Sequence, residues 1–197
     1  MRLRHIQLKN FRGFDERSVD FHPSFNLLIG ENGFGKTSVL EGIAVAIGAW
    51  LQAFPRTDQR HIRSQDIRQV NQMIQGRTRM QGQYPVIVEA VADVELDGFG
   101  NHQIIQWSRS IERFGGRTTN AGSANLRKIA REVMYAIGGG SNVTLPVLRY
   151  FGAGRLWESV RNSETKRASQ RSTLHMAEVP VRAEERATSI TRSMVTV

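Results

Sequence analysis

Hydrophobic and polar positions near the start of the chain follow the alternating spacing of strands. Residues 2–9 alternate polar and apolar side chains and predict a strand, and residues 10–14 predict a turn with Gly13 as its flexible point. A short second strand is predicted over 18–21, so the chain opens with a hairpin. The compact apolar run at 25–29 predicts a buried strand.

The spacing becomes helical immediately afterwards. Apolar side chains recur every four positions across 37–51, which predicts an amphipathic helix. The following polar stretch includes residues 64–75, which are compatible with a short helix.

The second half of the pattern predicts two strands, a helix and a last strand. Residues 84–96 and 102–111 alternate apolar and polar side chains around turn residues, as in an antiparallel pair. An apolar face over 123–137 predicts a helix, for which Ser123 is a suitable N-cap. The apolar residues 145–151 predict another strand.

This pattern stops at residue 157. Every glycine lies at or before Gly154 and every aromatic residue at or before Trp157. The remainder is rich in Arg, Ser, Thr and Glu, a composition that buries too little apolar surface to offset the entropy of ordering. We therefore expect a globular part, 1–157, and a polar, basic, disordered tail, 158–197.

The candidate chemistry lies between the predicted strand 25–29 and the predicted helix 37–51. Residues 30–37 read G-E-N-G-F-G-K-T and match the phosphate-binding (Walker A) pattern G-x-x-x-x-G-K-[ST]. Glycines let backbone N–H groups turn toward phosphate oxygens, and the helix N-terminus adds partial positive charge. The Lys36 ammonium suits the β- and γ-phosphates, and the Thr37 hydroxyl suits Mg²⁺. The predicted contacts to a nucleoside triphosphate are Gly30, Glu31, Asn32, Gly33, Phe34, Gly35, Lys36, Thr37 and Ser38, with Thr37 as the metal ligand.

The flanking residues carry a family resemblance. The predicted turn reads N-F-R-G-F, the loop I-G-E-N-G-F-G-K-T, and the helix S-V-L-E-G-I. Together they resemble the N-terminal ATPase half-domain of the RecF/SbcC/SMC/OLD group, the ABC-type heads of DNA repair and phage-defence proteins. Stretches 63–68 and 145–157 resemble bacterial AAA-type members. The likeness covers about 1–157 and is most specific over 1–50.

The resemblance implies an α/β fold of the P-loop NTPase class, a partial ABC-ATPase-like head with a mixed sheet. We expect residues 84–111 to form an antiparallel second lobe, and the incomplete sheet to expose an apolar edge. The resemblance places Arg12 near the nucleotide, with an exposed turn arginine as the alternative. Gln65 suits either the metal- and water-sensing glutamine of ABC heads or an ordinary solvated loop glutamine, the interpretation that we favour.

Two motifs of ABC-type hydrolysis are missing from the sequence. A Walker B strand needs apolar residues followed by Asp and Glu, but the run at 86–89 contains no Asp, and Asp93 and Glu95 are expected to be ordinary exposed acids. No L-S-x-G-[EQ] signature occurs. The chain is therefore either the ATP-binding part of such an ATPase or a non-catalytic nucleotide-binding module or truncated fragment. A small P-loop kinase is disfavoured by the hairpin that precedes the loop.

Composition and charge indicate which kinds of partner and metal site the chain can have. Lys and Arg number 27 against 18 Asp and Glu, and the Arg-rich stretch 56–79 suits DNA phosphates or a solvated connector. The resemblance adds a nuclease partner and, in full-length relatives, a homodimer. The absence of cysteine excludes disulfides and Cys-ligated metals, and the scattered histidines predict no metal beyond Mg²⁺. Since no apolar run approaches the ~20 residues of a bilayer span, we expect a cytoplasmic protein without membrane contact.

Overall fold

The computed structural model describes residues 1–74, 77–95 and 102–152. The predicted tail and the predicted turn at 97–100 lie outside the described residues. In chain order the strands and helices are β1 (Arg2–Phe11), β2 (Phe14–Asp20), α1 (Lys36–Leu51), β3 (Gln69–Ile74), β4 (Arg77–Gly82), β5 (Val86–Val94), β6 (Gln103–Ile111) and α2 (Ala124–Gly138).

The main sheet contains four strands in the order β2-β1-β5-β6. β1 lies inside the sheet, where Ile6 pairs with Val19 of β2 on one side and with Ala90 of β5 on the other. The strand pair predicted for the second half of the chain is present as β5 and β6. It continues the N-terminal hairpin in one sheet, and every strand pairing in the described ranges is antiparallel.

Helices α1 and α2 pack on one face of this sheet. Gly42 allows the close approach of α1, because a Cβ at this position would overlap the Leu8 side chain. The indole Nε1 of Trp107 donates to the Ala46 carbonyl at 2.9 Å and joins β6 to α1. Helix α2 adds three fully buried side chains to the core, Leu126, Ala130 and Val133. Within the described part of the chain, no helix is long and apolar enough to cross a bilayer.

The short helix predicted for 64–75 is wrong. Ser64–Asp66 form one 3₁₀ turn, fixed by the bond from the Arg63 N–H to the Asp66 carboxylate at 2.9 Å. The chain then enters a two-stranded ribbon of β3 and β4, in which Gln72 pairs with Arg79. Residues 69–74 are therefore an extended strand with side chains on alternating faces, not a helix.

The strands predicted at 25–29 and 145–151 are also absent. Phe25 and Ile29 are 67% and 84% exposed, and no described strand lies beside them to accept their backbone hydrogen bonds. Val147 and Phe151 are likewise exposed. Exposed apolar residues lie in these segments, on the β3–β4 ribbon at Met73 and Met80, and at Ile104 of the edge strand β6. The apolar edge left by an incomplete sheet stays a prediction.

Two local expectations need correction. The left-handed residues of the first turn are Asn10 and Arg12, with φ of 50° and 53°, rather than Gly13. The backbone bond from the Arg12 N–H to the Asp66 carbonyl at 2.7 Å holds this conformation. Ser123 occupies the N-cap position of α2, but its hydroxyl donates to the Asn120 carbonyl and caps no helix N–H.

Candidate functional site

The loop at residues 30–37 turns sharply into α1. Gly33 and Gly35 have φ of 92° and 83°, in the left-handed region that glycine enters at little cost. Gly35 is the N-cap residue of α1, and Lys36 is the first helical residue. The tight loop and the abrupt start of the helix bring together the residues predicted to contact phosphate.

Lys36 holds the two ends of this loop together. Its Nζ donates to the carbonyl of Gly30 at 2.6 Å and to that of Glu31 at 2.7 Å. An ammonium group has three N–H donors, so one donor remains for a phosphate oxygen. The positive charge is thus fixed at the mouth of the loop.

The first turn of α1 has the features of an anion site. No side chain caps the helix, and its first turn contains no acidic residue. The N–H groups of this turn have no partner within the helix, so they suit phosphate oxygens. Thr37 is exposed beside them, as are Glu31, Asn32 and Phe34. The backbone N–H groups and the Lys36 ammonium fit the phosphates of a nucleoside triphosphate, and the Thr37 hydroxyl fits one ligand position of Mg²⁺.

The β1–β2 hairpin packs against the same loop. The Phe14 ring lies so close to Gly35 that a Cβ there would overlap its Cζ atom. Phe11, at the other side of the turn, is fully buried. The hairpin that distinguishes this chain in sequence therefore supports the last glycine of the phosphate loop.

Arg12, placed near the nucleotide by the resemblance, is held in an ion-pair network. Its Nε lies 2.8 Å from Oδ1 of the fully buried Asp66, and its Nη2 lies 3.5 Å from Glu41 Oε1. Arg60 joins both carboxylates, at 2.9 Å from Asp66 Oδ2 and 2.7 Å from Glu41 Oε2. Because Glu41 belongs to α1, the network connects the first turn of the protein to the helix behind the phosphate loop.

Tyr150 completes this network from the far end of the described chain. Burial and the hydrogen bond to Glu41 raise the pKa of Tyr150 to about 12. Burial alone raises the pKa of Glu41, but the hydrogen bond and charge of Arg60, aided by Tyr150 and Arg12, bring it below its ordinary value. Glu41 is therefore held as a carboxylate at neutral pH.

A second buried cation lies behind α1. Arg109 is 1% exposed, and its Nη1 donates to the carbonyls of Val45 and Arg60, both at 2.7 Å. Its Nη2 lies 2.8 Å from Nδ1 of His61. Burial, with a smaller effect from Arg127, lowers the pKa of Arg109 to about 10. Burial and the Arg109 charge also lower the pKa of His61, which keeps its ring neutral as an acceptor.

The expectation that the acids of β5 are ordinary and exposed is wrong for Asp93. This residue is 8% exposed, with Arg4 Nε 2.7 Å from Oδ2 and His102 Nε2 2.8 Å from Oδ1. The Arg4 hydrogen bond, against burial and with the charges of Arg4 and His102, lowers the pKa of Asp93. Gln65 is exposed in the 3₁₀ turn, so its assignment as a solvated loop residue stays a prediction.

An AAA domain family matches residues 5–188, nearly the whole chain. The chain belongs to this AAA domain family. The match confirms the predicted ATPase-head fold class and the resemblance to RecF/SbcC/SMC-like heads.

Individual relatives match over a much shorter stretch. The chain is 51% identical over 43 residues to the DNA replication and repair protein RecF of Lactococcus lactis subsp. lactis. RecF of Desulfitobacterium hafniense is 49% identical and RecF of Staphylococcus aureus 51% identical, also over 43 residues. Each match covers 22% of this chain but only 12% of the relative, so the chain spans about an eighth of the length of these proteins.

A solved structure from work on ATP-driven dimerization and DNA-stimulated activation of SMC ATPases aligns with 88% of this chain and 99% of its own. The TM-score is 0.45 and the identity 17%. A likeness of this size supports no conclusion about function.

The sequence interpretation missed three charged residues of the site. Asp66 lies in the Arg-rich stretch 56–79, for which the sequence suggests DNA phosphates or a solvated connector, but it is the acid three positions after Arg63, the spacing of a capping turn. Glu41 lies on α1 beside its buried face. Arg109 lies two residues after the buried Trp107 on β6, so strand alternation alone places it on the core face.

Proposed function

We propose that the chain is the ATP-binding part of an ABC-type ATPase of the DNA repair kind, and that the loop at residues 30–37 binds Mg-ATP. One observation carries the proposal. The Lys36 ammonium lies 2.6 Å and 2.7 Å from two loop carbonyls, beside an uncapped helix N-terminus with no first-turn acid. A triphosphate supplies the negative charge that this arrangement lacks.

The proposed division of roles follows the positions of the residues. Gly33 and Gly35 let the backbone curve around the phosphates, and Lys36 neutralises β- and γ-phosphate charge with its remaining donor. Thr37 ligates Mg²⁺, which supplies charge neutralisation at the phosphates when bound. Asn32 contributes a polar contact at the loop tip.

Arg12 acts at the edge of the proposed site in this account. Asp66 and Glu41 fix the direction of its guanidinium, at 2.8 Å and 3.5 Å respectively. A preorganised arginine loses less entropy on meeting a phosphate than a free one. The proposal assigns Arg12 to the nucleotide and keeps Arg60 as the residue that binds the two carboxylates together.

A non-catalytic nucleotide-binding module is the second candidate. It is favoured by the acids of β5, since Glu89 accepts from Gln106 Nε2 at 2.6 Å and Asp93 is engaged by Arg4 and His102. Both carboxylate oxygens of Asp93 are therefore engaged by cationic or polar side chains. Steady Mg-ATP turnover by the purified chain, lost in Lys36→Ala, would eliminate this candidate.

The DNA and partner assignments come from relatives. The matched proteins are named for DNA replication and repair. We propose that this chain serves DNA repair rather than phage defence, and that two such heads associate around ATP. A nuclease partner remains a prediction of the resemblance.

A nucleotide titration tests the proposal. A fluorescent ATP analogue with Mg²⁺ should bind the parent chain, and Lys36→Ala should weaken binding about tenfold or more, since a hydrogen bond to a charged group is worth about 1.5–3 kcal/mol. Lys128→Ala is the matched control, because Lys128 is an exposed α2 lysine 3.9 Å from Glu132. Equal affinity of parent and Lys36→Ala would refute the proposed site.

A further inference from the structure

The Arg-rich stretch 56–79 separates into two parts in the structure. Arg60 is absorbed by Asp66 and Glu41, as described above. Arg77 and Arg79, in contrast, are exposed on β4, and no carboxylate of the described residues pairs with them. Arg56 and Arg63 are also exposed, and no carboxylate of the described residues pairs with them. Of the arginines whose charge remains available to an outside partner, Arg77 and Arg79 lie together on the ribbon of β3 and β4.

The ribbon stands apart from the core. It is anchored at its base, where the Gln83 N–H donates to the Arg68 carbonyl at 2.8 Å and Gly82 packs against Ile67 and Tyr84. Farther out, both faces are exposed, and Met73 and Met80 are 76% and 68% exposed. An isolated two-stranded ribbon is only marginally stable in water.

The register assigns the arginines to one face. Gln72 pairs with Arg79 and Val70 with Gln81, so strand alternation places Arg77 on the same face as Arg79. Met73 and Met80 occupy the other face. The first face thus combines two arginines with glutamine amides, whereas the second face carries the methionines.

The charge of the ribbon has one sign. From residue 67 to residue 88 the sequence contains three arginines and neither Asp nor Glu. Arg68, at the base, lies 3.7 Å from Asp15 and is paired with it. Arg77 and Arg79, farther out, have no such carboxylate among the described residues. Residues two apart on a strand are about 6.6 Å apart, so Arg77 and Arg79 place their two charges side by side along β4. A two-stranded ribbon also fits the major groove.

We propose that the arginine face of the β3–β4 ribbon is a contact site for the phosphate backbone of double-stranded DNA. Arg77 and Arg79 neutralise phosphates, and Gln72 and Gln81 donate to neighbouring phosphate or base-edge oxygens. This inference rests on the DNA-linked function proposed above and assigns that function a surface. The phosphate loop is not part of this contact.

The test compares two double variants with equal loss of charge. Arg77→Gln/Arg79→Gln removes the ribbon arginines, and Arg113→Gln/Arg117→Gln removes two exposed arginines from the loop after β6. Binding of a fluorescein-labelled DNA duplex is measured by anisotropy from about 50 to 200 mM salt. The ribbon variant should bind about tenfold more weakly at low salt and lower the salt slope by about 2, while the control stays within twofold of the parent.

Three outcomes would overturn the inference: ribbon variant and parent bind DNA alike, both double variants lose affinity equally, or the parent binds no duplex. Stronger, arginine-dependent binding to vesicles of phosphatidylcholine and phosphatidylserine in equal amounts would also overturn it, since a lipid surface would then be the partner. The ATP titration is run on the same samples. Unchanged ATP binding in the ribbon variant shows that it is folded and keeps the outcome for the DNA surface separate from that for the nucleotide site.

Discussion

Removing the charge of Asp66 is the sharpest perturbation of the network behind the phosphate loop. Its carboxylate is 0% exposed and accepts from Arg12, from Arg60 and from the Arg63 N–H, at distances between 2.8 and 3.1 Å. Asp66→Asn keeps the size of the side chain but leaves two largely buried guanidinium groups without this charge.

The magnitude follows from burial. Removing one partner of a buried ion pair costs about 3–5 kcal/mol. Asn keeps one acceptor oxygen and Glu41 still reaches both arginines, so we expect the lower end, about 3 kcal/mol. For a chain of this size that loss lowers Tm by about 6–12 °C.

Urea unfolding followed by circular dichroism measures this loss. Asp58→Asn is the matched control, because Asp58 is an exposed acid of the same segment, and we expect it to change stability by less than about 0.5 kcal/mol. If Asp66→Asn unfolds like the parent, or if the two variants lose equal stability, the reasoning about the buried network is refuted.

Three further predictions concern the loop, the buried arginine and pH. Gly35→Ala should destabilise the protein by at least about 1 kcal/mol more than Gly33→Ala, because both positions have positive φ but only the first lies against an aromatic ring; equal losses in urea unfolding would contradict this. Arg109→Met should cost about 2 kcal/mol by removing the hydrogen bonds from the buried guanidinium to the Val45 and Arg60 carbonyls, against little change for Arg113→Met, and an unchanged or raised urea midpoint would contradict it. Since the folded pKa of His61 is lowered, the unfolded chain binds the extra proton first as pH falls through about 6.5, so the parent should lose stability there and His61→Asn should lose less; parallel pH profiles would argue against this.

Elements governed by local periodicity were predictable. The alternation in β1, β5 and β6 places the core residues of these strands correctly, because it depends on one buried face. In α1 the four-residue spacing predicts the helix but not its buried face: Val39 and Ile43 are buried, whereas Ile47 and Leu51 are only partly buried and Val45, Ala46, Ala49 and Trp50 fill the core instead. The sharp turn at residues 30–37 was predictable for a related reason, since its glycines and Lys36 lie within eight consecutive residues. Its role as a nucleotide site stays a prediction.

Features that depend on distant partners were not predictable from the pattern. Residues 25–29 have the composition of a buried strand, but a strand also requires neighbours, and none lies beside them in the described ranges. Asp66 becomes central only because folding brings Arg12 and Arg60 to it from other segments. Arg109 was missed although its position is predictable. It lies two residues after the buried Trp107 on β6, so strand alternation places it on the core face, but its charge suggests a surface residue.

Hydrogen exchange at individual amides, with and without Mg-ATP, tests the central claim most directly. The backbone N–H groups of Lys36, Thr37 and Ser38 have no capping side chain, so bound phosphates should slow their exchange strongly. The same amides should exchange at unchanged rates in Lys36→Ala at the same nucleotide concentration. ATP binding that protects other amides and leaves these three unaffected would contradict the assignment of residues 30–37 as the nucleotide site.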